Sequence, residues 1–220
     1  MIDRQRLVNV ASIIQAATDG LNMKWFLAFG SLLHWVRDKE LSLNEDIDIG
    51  VMGDPDAAIL ALSTYFSPAH IIREDHNGQP LCASFRHDHS GFILDCFFWR
   101  KKDGYYYHAY DQNMSMPANG ILNEYTFKGV PCDCFDVSKP VIEKYQKDLR
   151  YGRDMTDHGT WKKVVPNIQE EGIQLCLPWS YGRCLDIWYP DWATTRSQFG
   201  VSLSEHSFTV KSCKDIVWEK

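Results

Sequence analysis

Asn44-Glu45-Asp46-Ile47-Asp48-Ile49-Gly50-Val51 alternates polar or small residues with branched apolar ones. A period of two predicts a β-strand, in which side chains two apart share a face. Ile47, Ile49 and Val51 then enter a core, while Asp46 and Asp48 project together from the opposite face. Two carboxylates held side by side on a rigid strand repel each other unless a proton or a cation lies between them. A divalent metal answers that repulsion, and Mg²⁺ favours one or two carboxylates together with phosphate oxygens. An exposed edge strand with solvated acids has the same pattern, so the flanking sequence decides between them.

Upstream, Lys24-Trp25-Phe26-Leu27-Ala28-Phe29 predicts a short buried strand that Gly30-Ser31 breaks. A helix over Leu32 to Arg37 is expected to start at that break, with Ser31 near its N-terminus, and Asp38 to Leu43 forms a loop to the acidic strand. Further back, Leu7, Val10, Ala11, Ile14 and Ala17 recur at spacings of three and four, which predicts a helix from Asp3 to about Thr18, stopped by Asp19-Gly20.

Downstream, Asp54-Pro55-Asp56 predicts a helix start, a capping acid followed by proline in the first turn, with the helix running to about Phe66. Ile71 to Glu74 reads as a short strand and His76-Asn77-Gly78-Gln79 as a turn. Leu81 to Arg86 and Phe92 to Trp99 read as two strands joined by His87-Asp88-His89-Ser90-Gly91. On the second strand Ile93, Asp95, Phe97 and Trp99 share a face, and an acid in so apolar a run needs a partner. Asp95 is therefore the expected third member of the carboxylate cluster, with a structural pairing to Arg86 or Lys101 as the alternative. Lys101-Lys102-Asp103-Gly104 predicts a hairpin turn into Tyr105-Tyr106-Tyr107-His108, and Tyr125 to Val130 continues the β pattern.

From Pro140 the character changes. Helices are expected over Val141 to about Tyr151 and over Tyr181 to Ile187, with Gly152 to Gly172 poorly patterned and little signal beyond Arg196. The expected organisation is a catalytic core over residues 1–137 and a mainly helical, aromatic-rich extension over 138–220.

Composition narrows the function classes. A chain of 220 residues, 45% hydrophobic and 24% charged, is an ordinary globular protein with room for a sizeable core. A formal net charge of −6 argues against a general nucleic-acid binder, which needs a basic face. No apolar run reaches the length of a membrane span, and Met1-Ile2-Asp3-Arg4-Gln5-Arg6 lacks a signal peptide's apolar stretch, so the expected location is the cytosol. Seven cysteines without a Cys-x-x-Cys pair suggest buried free thiols rather than a zinc site or a redox dithiol.

Phe29-Gly30-Ser31-Leu32-Leu33-His34-Trp35-Val36-Arg37 followed by Glu45-Asp46-Ile47-Asp48-Ile49-Gly50 resembles the signature of the nucleotidyltransferase fold, and more narrowly the LicD/fukutin family of phosphotransferases. Leu94-Asp95-Cys96-Phe97 is similar to that family's third, strand-borne acid, and Tyr189-Pro190-Asp191-Trp192 is faintly similar to a Tyr-Gly-x-x-Trp element near its C-terminus. The sequence departs from the family in carrying Asn44-Glu45 where many members have further aspartates, and in lacking Gly-Phe-Ile-Pro in the loop before them.

The resemblance implies an α+β fold with a mixed sheet and flanking helices. It also implies transfer of a phospho-alcohol, of the phosphocholine or phospho-alditol type, from a CDP-linked donor to a glycan hydroxyl, with release of CMP. Asp46 and Asp48 then bind Mg²⁺ or Mn²⁺, and Asp95 either completes a second metal site or accepts the acceptor's proton. Gly30 and Ser31 face the donor phosphates at a helix N-terminus, and Arg37 either reaches those phosphates or pairs with Asp48. A nucleotidyltransferase moving an NMP to a protein, sugar or antibiotic is the alternative enzyme, and a non-catalytic nucleotide- or glycan-binding module the alternative of another class.

Overall fold

The computed structural model describes residues 12–14, 16, 23–37, 46–67, 71–74, 78–87, 91–110, 125–135, 161–163, 175–178, 180–189, 192, 207–210 and 216–219. These residues form an α+β fold with a mixed sheet and few helices. The helix expected over Asp3 to Thr18 falls almost wholly outside them, although 12–14 and 16 are helical; the loop Asp38 to Leu43 and the helix Val141 to Tyr151 lie outside them entirely.

One long strand, β5 (Ile93–Lys102), organises the sheet. Strand β2 (Asp46–Met52) runs parallel to its first seven residues, Asp46 opposite Ile93 through to Met52 opposite Trp99. On its other side β4 (Pro80–Arg86) is antiparallel and continues to β3 (Ile71–Glu74). Strand β1 (Lys24–Leu27) closes the first edge, antiparallel to β2. The far end of β5 turns through Asp103-Gly104 into β6 (Tyr105–Tyr110), which pairs with β7 (Tyr125–Pro131). Both turn residues have positive φ, the backbone of a tight two-residue hairpin that an Asp-Gly pair accommodates. The strands β2 and β5 are the one parallel pair among the described strands; the helix Pro55–Leu62 and the strands β3 and β4 intervene between them, which gives the chain the length a parallel crossover needs.

Helix α1 (Phe29–Arg37) leaves β1 almost at once and packs against β2. It begins three residues earlier than expected, since the Leu32 N–H already donates to the Ala28 carbonyl at 3.0 Å, and β1 correspondingly ends at Leu27. Phe29 takes φ +41°, a left-handed conformation that costs a bulky residue on the order of 1–3 kcal/mol. Its ring offsets that strain by packing against Phe97, His108 and Trp188 at centroid distances of 4.7, 4.7 and 4.8 Å. Helix α2 (Pro55–Leu62) starts as expected, with Asp54 accepting the N–H groups of Asp56 and Ala57. It stops four residues short of Phe66, where the chain turns back over β4.

The C-terminal region is not mainly helical among the described residues. It contains one helix, α3 (Tyr181–Trp188), the small pair β8 (Trp161–Lys163) and β9 (Leu175–Leu177), and β10 (Phe208–Val210). Strand β10 adds to the edge of β7, and Trp188 on α3 is fully buried in the main core. Short strands of three residues leave too little alternation to read from sequence.

Gly50 shows how tightly the β1–β2 pair is packed. It lies opposite Phe26, and a methyl group on it would stand 2.1 Å from the Phe26 ring, which is itself wedged against Trp99 and Phe135. Overpacking of this kind typically costs 1–3 kcal/mol. Gly50→Ala is accordingly expected to lose about 2 kcal/mol of stability, read as a lower urea midpoint with an unchanged slope; a midpoint equal to wild type would show that the ring can move aside.

Candidate metal centre

Parallel pairing of β2 with β5 sets Asp48 directly opposite Asp95, and the β-pleat puts Asp46 on the same face two residues earlier. One carboxylate oxygen from each of the three lies within 4.8 Å of the others, and all three side chains are half-buried. The cluster expected from the sequence therefore forms. Its donor set is all carboxylate oxygen, the chemistry that suits Mg²⁺ or Mn²⁺ rather than zinc.

Helix α1 meets the cluster head-on. The Ala28 N–H donates to the Asp48 carbonyl at 3.0 Å, and the Asp48 N–H donates to Ser31 Oγ at 2.8 Å, which ties the start of the helix to the middle of β2. The backbone N–H groups of Gly30 and Ser31 donate to the Asp48 carboxylate. The same amides that the sequence reading assigns to a phosphate thus face an acid of the protein itself, in the favourable field of a helix N-terminus.

Those donors are not enough to keep Asp48 an ordinary acid. Burial, then the charges of Asp46 and Asp95, push its carboxyl up to about 8 against the pull of the two amides. A divalent cation among the three acids removes the repulsive part of that displacement. Asp48 thus gains from a metal between it and its two acidic neighbours.

Asp95 is held from the third strand. Ser84 on β4 stands opposite it in register, and the Ser84 hydroxyl donates to Asp95 Oδ1. Lys101, one of its alternative structural partners, instead faces Glu219 at 3.5 Å. Gly30, Ser31, Asp46, Asp48 and Asp95 are therefore brought together. Arg37 is the last residue of α1, seven residues beyond Gly30 and so about 10 Å along the helix axis from that N-terminus.

Behind Phe29 lie two titratable groups to which the sequence reading gave no functional role. His108 is buried among Phe29, Phe97 and Trp99, and burial lowers it to about 3, so it is neutral at physiological pH. Lys128, opposite it on β7, is fully buried, and burial lowers it to about 7. Alternation in Tyr125–Pro131 puts Lys128 with Thr126 on the face opposite Phe127, which reads as the solvent side, so its burial is not readable from the chain. Tyr106 and Tyr107 pack into the two apolar clusters. Of His87 and His89, the second lies outside the described residues, as do Trp179, Pro190 and Asp191.

No protein-family model matches the chain, and comparison with curated proteins gives no match. Among solved structures it is similar to the Thermotoga maritima CCA-adding enzyme complexed with tRNA, at 24% identity and a TM-score of 0.34. That likeness covers 45% of this chain and 22% of the other, and it is too loose to carry weight for either fold or function.

Proposed function

We propose that the protein is a divalent-metal-dependent phosphotransferase of the LicD/fukutin type, built on a nucleotidyltransferase-like core, that moves a phospho-alcohol from a CDP-linked donor to a glycan hydroxyl. The observation that carries this reading is the convergence of Asp46, Asp48 and Asp95, from two parallel strands, at the N-terminus of α1. In it the three acids hold Mg²⁺ or Mn²⁺, and the ion supplies charge neutralisation at the diphosphate as the bond to the leaving CMP breaks. The chain's own contributions are positional. Strands β2 and β5 fix the acids, the first turn of α1 presents Gly30 and Ser31 to the same space, and the aromatic packing of Phe29 holds that turn in place.

Product analysis tests the reading. Incubation with Mn²⁺, CDP-choline or CDP-ribitol and a glycan acceptor is expected to release CMP and leave a phospho-alcohol on the acceptor. Nucleotide on the acceptor would instead identify a nucleotidyltransferase, and metal binding without turnover of any CDP- or NTP-donor a binding module.

A further inference from the structure

Ser84 occupies an unusual place for a small polar residue in the middle of a strand. Its neighbours in β4 alternate, with Leu81, Ala83 and Phe85 buried on one face and Cys82 and Ser84 half-buried on the other. Serine is not among the β-branched and aromatic residues that strands favour, and nothing in the apolar packing of β4 calls for a hydroxyl. The register supplies a use for it. Asp48 on β2, Asp95 on β5 and Ser84 on β4 stand in one row across three adjacent strands, all on the carboxylate face. The hydroxyl hydrogen is committed to Asp95 Oδ1.

We infer that Ser84 is a positioning residue for the metal centre: its hydroxyl donates to Oδ1 of Asp95 and fixes the rotation of that carboxylate beside Asp46 and Asp48. This rests on the metal reading given above. The three acids are then held unequally, Asp48 by the amides of α1 and Asp95 by Ser84. Outer partners of this kind orient a ligating carboxylate, and their loss typically weakens metal binding 10–100-fold.

Mn²⁺ binding by the full chain, followed through the loss of the free-ion EPR signal, tests this with Ser84→Ala, Ser84→Val and Ser84→Thr. Valine and threonine share a shape and differ in the hydroxyl, so their comparison separates the hydrogen bond from strand packing. The expected result is a ten- to hundredfold weaker Mn²⁺ affinity for Ala and Val, with Thr within about threefold of wild type and thermal unfolding of the metal-free Val and Thr variants alike. Val binding as tightly as Thr overturns the assignment of Ser84 while leaving the metal centre intact. Failure of the wild type itself to bind Mn²⁺ overturns the metal reading, and the role of Ser84 with it.

Discussion

Asp48→Asn is expected to lower group transfer by about a thousandfold or more, the scale of losing a metal that stabilises charge in the transition state, and to abolish measurable Mn²⁺ binding. The expectation follows from position: Asp48 lies between Asp46 and Asp95 on the carboxylate face and receives the first amides of α1. The metal-free protein should respond in the opposite sense. Asparagine keeps an oxygen for the Gly30 and Ser31 N–H groups but removes a charge that burial and two acids disfavour, so the variant is expected to unfold at a higher temperature than wild type at pH 8 without metal. A merely structural aspartate would give the reverse, lower stability with little change in metal affinity. Asp56→Asn, on the exposed first turn of α2, is the control and should leave both quantities near wild type.

The acids themselves were legible because their signals are local. Alternation in Asp46–Met52 needs no partner strand to be seen, and an aspartate in the middle of Phe92 to Trp99 stands out against its neighbours. The pairing that makes them one site is not local. Nothing within either segment says that β2 runs parallel to β5 with Asp48 opposite Asp95, and register by itself decides whether the third acid joins the other two. Ser84 was invisible for the same reason, since its meaning comes from the strand beside it.

The start of α1 failed differently. Phe29 reads as the last residue of an apolar strand, yet it begins the helix with positive φ, a choice made by the rings around it and by the pull of β2 on Ala28. Tertiary contacts overrode the local preference. The C-terminal region reads as mainly helical from sequence, whereas its described residues hold one helix and three strands of three residues each, too short for a period of two to show, and β10 pairs with the β7 edge.

Proton and metal should compete for Asp48, and the sign of that competition can be worked out. The carboxyl is raised from an ordinary 3.8 to about 8 in the folded protein. Between those values the folded state holds a proton that the unfolded chain has released, so stability falls as pH rises across that window and levels off above it. The metal-free protein is therefore expected to lose on the order of a few kcal/mol between pH 5 and pH 8, read by urea unfolding at a series of pH values. Metal reverses the trend, because it binds the ionised carboxylate and must displace the proton below the folded pKa. Apparent Mn²⁺ affinity should climb roughly tenfold per pH unit up to about 8 and then flatten, and stabilisation by a fixed Mn²⁺ concentration should grow in parallel. Asp46→Asn offers a sharper check. Asp46 is the larger of the two acidic charges raising Asp48, so removing it should move the break in the metal-free stability profile to lower pH. A break that stays where it was would mean that the Asp46 charge does not help to hold the proton, and that the two strand-mates do not share one electrostatic site.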